Sequence, residues 1–211
     1  MKKAFLNFKK TIIKSGLVIA SIAMVLSYAS CSESKKDDDK KDAKEVAEDK
    51  NDAKIDSTSN STNTDKMKWD ADFLVAAAEI NQEEIQLGQL AQTNGQMKEV
   101  KDLGKMLVAD HSKASAELKA LAAKKSIALP ASLTDDAKDA YKKLSEKKGK
   151  DFDNAYTNMM VDGHKKAIEK FEKAAADATN PEIKAWAASM LPGLKTHLDH
   201  AITCQKNHEK M

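Results

Sequence analysis

A chain of 211 residues has room for one domain of ordinary size, or for one domain with a long tail. Its 35 basic and 33 acidic residues are interspersed and leave a formal net charge of +2, so no basic face argues for nucleic acid or for an anionic surface. The only cysteines are Cys31 and Cys204, and acylation of the first would rule out an intramolecular disulfide, leaving packing to hold the fold.

Five lysines from Lys2 to Lys14 precede a charge-free, largely apolar run from Ser15 to Ser30. A basic start, an apolar run too short to cross a membrane comfortably and small residues at its end define a signal peptide over residues 1–30, which takes no part in the fold. Leu26-Ser-Tyr-Ala-Ser-Cys31 resembles the lipobox of bacterial lipoproteins, in which the cysteine is acylated and becomes the new first residue. Ala29 and Ser30 fit that pattern, Tyr28 stands where it usually has Leu, and ordinary cleavage after Ala29 stays open. The resemblance implies a lipid anchor at Cys31, and so a membrane-tethered outer membrane lipoprotein of the cell envelope, periplasmic or surface-facing. Ser32-Glu-Ser-Lys-Lys-Asp-Asp-Asp-Lys-Lys is similar to the run that follows the cysteine in lipoproteins of the Bacteroidetes type, and reads equally as solvated linker. From Ser32 to about Lys66 there is little to bury, with Val46 and Ile55 the only large aliphatics, so residues 31–67 are expected to form a disordered charged tether reaching roughly 30 Å.

Residues 68–211 carry four long helical patterns. The first spans about Asp70 to Thr93, with Phe73, Ala77, Ile80, Leu87 and Ala91 on one face, and is expected to end where Asn94-Gly95 adopts a left-handed cap. The second spans about Gln96 to Lys125 with Val100, Leu103, Leu107, Ala114, Leu118 and Leu121 inward; the third spans Asp151 to Ala178 with Phe152, Tyr156, Met160, Ala167, Phe171 and Ala174 inward. Thr179-Asn180-Pro181-Glu182 opens the fourth, which continues to about Asn207 with a kink expected at Pro192-Gly193. Between the second and third, Leu129-Pro130 breaks the chain and Thr134-Asp-Asp-Ala starts a short helix reaching Leu144. A connection of that length suits a crossover, so the second and third helices should point the same way in an all-α four-helix bundle.

The pattern Met106-Leu-Val-Ala-Asp-His-Ser-Lys-Ala returns as Met159-Met-Val-Asp-Gly-His-Lys-Lys-Ala, which lays His111 over His164. Glu84 and His197 also face inward by periodicity. All four lie within about three residues, or roughly 4.5 Å, of their helix midpoints, and midpoints share one height whichever way helices run. One glutamate and three imidazoles should therefore meet in a single layer. Neutral imidazole and carboxylate suit a transition-metal ion such as zinc, copper or iron, with Asp110 and Asp162 as candidate partners of the imidazoles. Equally open is a layer whose members satisfy one another and bind nothing. A second stripe, His197, His200, Cys204 and His208, shares one face of the last helix, but Cys204 reads as a small core residue before it reads as a ligand.

Leu-Val-Ala-Asp-His111-Ser-Lys-Ala, Glu84-Ile-Gln-Leu-Gly88, Leu129-Pro130, Asp151-Phe152-Asp153-Asn-Ala-Tyr156, His164-Lys-Lys-Ala-Ile168, Leu191-Pro192 and His197-Leu198 together resemble the bacterial domain of unknown function 4142 family. The resemblance covers residues 69 to 207 and implies a ferritin-like four-helix bundle in an exported protein, with no settled activity. Gly163 stands where that family commonly has an acid. A di-iron oxidase would need carboxylates on all four helices and paired Glu-x-x-His motifs, which are missing here. The chain also lacks a Gly-x-Ser-x-Gly turn, a glycine-rich phosphate loop and a His-Glu-x-x-His helix, so an enzyme is not the default reading. The two functions left standing are a metal-binding envelope module and a non-catalytic interaction or stress-protective protein whose polar layer only sets helix register. No protein partner is identified.

Overall fold

Helical periodicity becomes helix along the whole computed structural model, which describes residues 41–58 and 61–208. Among the described residues there are six α-helices and no strand: α1 (Ala43–Thr58), α2 (Ser61–Asn94), α3 (Lys98–Lys125), α4 (Asp135–Ser145), α5 (Gly149–Asp177) and α6 (Pro181–His208). They belong to one compact unit. The expected signal, Cys31 and the charged run after it lie outside the described residues. No described helix is long and apolar enough to cross a membrane.

The four long patterns correspond to α2, α3, α5 and α6, and α4 is the short helix of the crossover. Thr134 caps α4 by accepting from the Ala137 N–H (3.3 Å), and Asn180 caps α6 by accepting from Glu182 (3.0 Å) and Ile183 (3.3 Å). α6 runs unbroken through Pro192. The end of α2 differs from expectation. Asn94-Gly95 does stop the helix, but the only described left-handed residues are Ser126 and Gly149. Glycine stands at 95 for space instead, since a Cβ there would lie 2.7 Å from the Ala91 carbonyl oxygen.

Helix directions follow from two crossed caps. The Gln96 and Met97 N–H groups, just before α3, donate to the Asp153 carboxylate near the start of α5 (2.9 and 2.8 Å). At the far end, the Thr179 and Asn180 N–H groups donate to Asp70 of α2 (2.9 and 2.8 Å). α3 and α5 therefore start together and run parallel, as the crossover requires. The crossover is held along α2 by Gln82 Nε2 donating to the Pro130 carbonyl (2.9 Å) and by Asn94 Nδ2 donating to the Ser145 and Lys147 carbonyls (3.3 and 3.2 Å).

The expected tether over 31–67 is overturned in its later part. Residues 43–58 form α1, which packs on α2, and α2 itself begins at Ser61 rather than Asp70. Ala47, Asn51 and Ile55, spaced by four, are all buried. Asn51 reads the backbone of the crossover in both directions: its Nδ2 donates to the Ala128 carbonyl (3.0 Å) and its Oδ1 accepts from the Ala128 N–H (2.7 Å). Asp42 starts the helix by accepting from Lys44 (2.8 Å) and also accepts from the Asp135 N–H at the start of α4 (2.6 Å). The physical reason for the miss is that α1 is anchored by hydrogen bonds and ion pairs such as Lys44–Glu79 (3.0 Å), with only a narrow apolar stripe.

Within the main helices the core divides in two. One apolar cluster gathers Leu87, Leu103, Leu107, Phe152, Tyr156 and Met160 with Cys204, and the other gathers Phe73, Leu74, Leu118, Phe171, Ile183 and Leu194. α2 and α3 approach closely where Gly88 faces Gly104: a Cβ on Gly104 would meet the Gly88 carbonyl oxygen at 2.6 Å and the Ala91 Cβ at 2.8 Å.

Three substitutions test this packing. Gly104→Ala forces backbone apart and should lower the unfolding free energy by about 1–3 kcal/mol, whereas Gly193→Ala, with nothing within 4 Å of the new methyl, should raise it by about 0.5–1 kcal/mol. Urea denaturation midpoints of the two variants should thus move in opposite directions. Asn51→Ala leaves the Ala128 groups unpaired and should cost about 1–3 kcal/mol in the same assay; an unchanged midpoint would mean that α1 contributes no stability.

Candidate metal centre

Between the two apolar clusters lie Glu84 of α2, His111 of α3, His164 of α5 and His197 of α6, all buried. Each follows its helix's apolar stripe, so packing of the flanking Leu, Phe and Met side chains aims it inward. The imidazole centroids form a triangle with sides of 5.2, 5.3 and 6.0 Å. One ring nitrogen from each histidine lies within 4.8 Å of the others. Glu84 Oε2 is 2.8 Å from His111 Nε2 and 3.3 Å from His164 Nε2. The layer expected at mid-height is therefore assembled from all four residues.

The outward nitrogens decide the chemistry. His164 Nδ1 is 2.9 Å from the Met160 carbonyl, His111 Nδ1 is 2.8 Å from Asn81 Oδ1, and His197 Nε2 is 2.8 Å from Asp110 Oδ2. Each of those oxygens can only accept, so each of those nitrogens carries the proton. What remains inside is His111 Nε2, His164 Nε2, His197 Nδ1 and Glu84 Oε2, all buried and without a hydrogen-bond partner. The 2.8 Å between His111 Nε2 and Glu84 Oε2 lacks hydrogen-bond geometry; without a proton or another cation between them the two atoms face one another as acceptors.

Electrostatics show what the carboxylate calls for, which is positive charge on the imidazole side of the layer. Burial opposes charge on Glu84, but the surrounding imidazoles, His111 foremost, outweigh it and hold the carboxyl below its ordinary value. Burial holds His197 below the usual imidazole value against the pull of Asp110, with His111 and His164 adding to the depression. Glu84 is thus ionised and His197 neutral, as ligation demands. The buried Tyr156 hydroxyl on α5 also lacks a partner, and burial, reinforced by Glu84, pushes its pKa far up, so it stays protonated.

Of the two expected imidazole partners, Asp110 takes that role and Asp162 does not: Asp162 is exposed, and His164 uses the Met160 carbonyl instead. Asn81, three residues before Glu84 on the same helix face, is a partner that periodicity alone could have flagged, as a buried amide within an apolar stripe. The second stripe does not assemble. His200 is exposed, Cys204 sits in the apolar core with its thiol pushed by burial up to about 11, and the His208 side chain lies outside the described residues. Met106, Met159, Met160 and Met190 pack in the two clusters.

Fold and site together define an all-helical protein with a buried carboxylate–imidazole layer between two apolar half-cores. The chain belongs to the family described as Domain of unknown function (DUF4142), whose model matches residues 52–203. That match starts inside α1 and spans all four layer residues. Neither a curated protein nor a solved structure matches the chain.

A metal-free layer of acceptors makes an unusual prediction for Glu84→Gln. The amide brings a donor to the His111 Nε2 lone pair, so at pH 8, where a free imidazole is neutral, chelator-treated Glu84→Gln protein should be more stable than the parent by on the order of 1 kcal/mol. A lower denaturation midpoint than the parent would show that a proton already bridges the pair.

Proposed function

We propose that this chain is an exported, membrane-anchored protein whose α2, α3, α5 and α6 form a ferritin-like four-helix bundle around one transition-metal ion. Glu84, His111, His164 and His197 would supply the ligands. The observation that carries this reading is the convergence of three imidazole lone pairs and one carboxylate oxygen, with every outward ring N–H already committed to an acceptor. Fixed tautomers of this kind are what metal-bound histidines show. A set of three nitrogens and one oxygen suits zinc, copper or iron. Bonds of about 2.0–2.1 Å would set the ligand atoms roughly 3.4 Å from one another, so binding should draw in the imidazole nitrogens, now within 4.8 Å, and ease Glu84 Oε2 back from its 2.8 Å contact with His111 Nε2. With a single carboxylate in the layer, the di-iron arrangement stays disfavoured. The anchor would be Cys31, which its lipobox resemblance supports, and the domain would then sit at the cell envelope, held by the membrane.

The test is metal content of the full chain, purified without a histidine tag and measured by mass spectrometry beside His111→Ala/His197→Ala and Glu84→Gln variants. About one ion per chain in the parent, lost in the double variant while its circular dichroism stays helical, is the expected result. Glu84→Gln keeps every imidazole and should retain the ion at least tenfold more weakly. A parent that stays metal-free after incubation with zinc, copper and iron salts would overturn the proposal and make the layer a device of helix register alone.

A further inference from the structure

Beside the layer lies a cavity of about 260 Å³ between α3 and α6, floored by α2 and α5. His111 and His197 form part of its wall, whereas Glu84 and His164 do not reach it. On other sides the layer is flanked by packed helices. One turn from Glu84, the backbones of α2 and α3 meet at Gly88 and Gly104, and α4 packs on both α2 and α5. All four inward atoms are closed to water, so an ion can reach them only if one of the ligand side chains moves aside.

The two histidines in the wall are held differently. His111 bonds to Asn81, itself only 3% exposed, while His197 bonds to Asp110, whose side chain is 56% exposed. A bond that water can reach opens more readily than one sealed in the core. His197 also has room to move. A helical side chain leans back over the residue four earlier, and for His197 that residue is Gly193, where a Cβ would meet nothing within 4 Å. At the exposed rim the carboxylates of Asp110 and Glu117 stand against the single ammonium of Lys113, a balance that favours a cation. We propose that the ion of the metal-centre reading, on which this inference rests, enters and leaves through the α3–α6 cavity, with His197 as the ligand that moves aside. Asp110 is a positioning residue: it meets the ion at the rim and holds the His197 ring once the ion has passed. Gly193 supplies the space through which the ring moves.

The probe is cobalt(II), whose visible absorption reports its ligands. Uptake by the chelator-treated full chain is timed by stopped flow, and release is timed into excess EDTA. Gly193→Phe puts a ring at the mouth, among Trp186 and Met190, and should slow uptake and release alike by roughly tenfold or more, leaving the affinity and the absorption band as in the parent. Gly193→Ala leaves the mouth open and should keep both parent rates. Asp110→Asn changes no volume; it should slow uptake about fivefold, with a weaker dependence on salt than the parent shows, and should speed release. Cobalt bound by every sample with both rates unchanged in Gly193→Phe would overturn the route and leave the metal centre standing. Should Gly193→Phe lose its helicity, Asp110→Asn decides, and uptake at the parent rate with the parent's salt dependence would overturn the route. A parent that takes up no cobalt overturns the proposal too, and the absence of zinc, copper and iron as well marks the failure of the metal reading itself.

Discussion

Everything in the interior is arranged around a contact that needs a cation to persist: Glu84 Oε2 facing His111 Nε2 across 2.8 Å. An unsatisfied buried polar atom costs on the order of 1–3 kcal/mol, and more where charge is involved. Four such atoms in one layer are therefore a large fraction of a domain's net stability of ~5–15 kcal/mol. Leu, Phe and Met side chains above and below could have filled that volume. The layer makes physical sense if a cation, a proton or an ion, completes it. The apolar half-cores on either side then act on the cation as well as on the fold, because they exclude the water that would compete for it.

The layer's geometry depends on helix register, and the crossed caps set that register. Asp153 on α5 holds the start of α3, and Asp70 on α2 holds the start of α6. Each bond pairs an ionised carboxylate with backbone donors at a helix N-terminus, where the macrodipole also favours negative charge. Each cap joins a residue of one helix hairpin to the second helix of the other hairpin, so the two hairpins constrain one another reciprocally from opposite ends. A one-residue slip of α3 would break the Asp153 cap and turn His111 by 100° away from Glu84. Register and ligand placement are thus the same constraint, fixed by bonds remote from the layer.

This division of labour explains what could be read from the residues alone. Glu84, His111, His164 and His197 were legible because each sits at a core position of a long amphipathic helix, and because mid-helix positions share a height whatever the topology. Asp110 was legible through its place beside His111. The direction of its bond was not: it reaches across to His197 on α6 rather than supporting its own neighbour, and only tertiary structure decides that. α1 escaped because its anchors, Asn51 and Asp42, are polar residues whose partners are backbone groups of the α3–α4 connection and of α4, far away in the chain. Hydrophobic periodicity carries no information about such contacts. The cap of α2 failed in the opposite way, since Gly95 is demanded by the nearness of the Ala91 carbonyl and not by its own dihedral angles.

Placement of the accessory elements gives the site a direction. α1 and α4 both pack on α2, and α4 also touches α5, so that side of the layer is covered. The α3–α6 side has no such cover, and there the cavity reaches His111 and His197 while the partner of His197, Asp110, remains half exposed to solvent. A cation entering the layer by this side would meet the Asp110 carboxylate first and the neutral His197 ring behind it. Glu84 and His164 lie deepest, on the covered helices. The route in therefore passes from one carboxylate at the surface to a second in the interior, with imidazoles between them, so the attraction for a cation is sustained along the whole path.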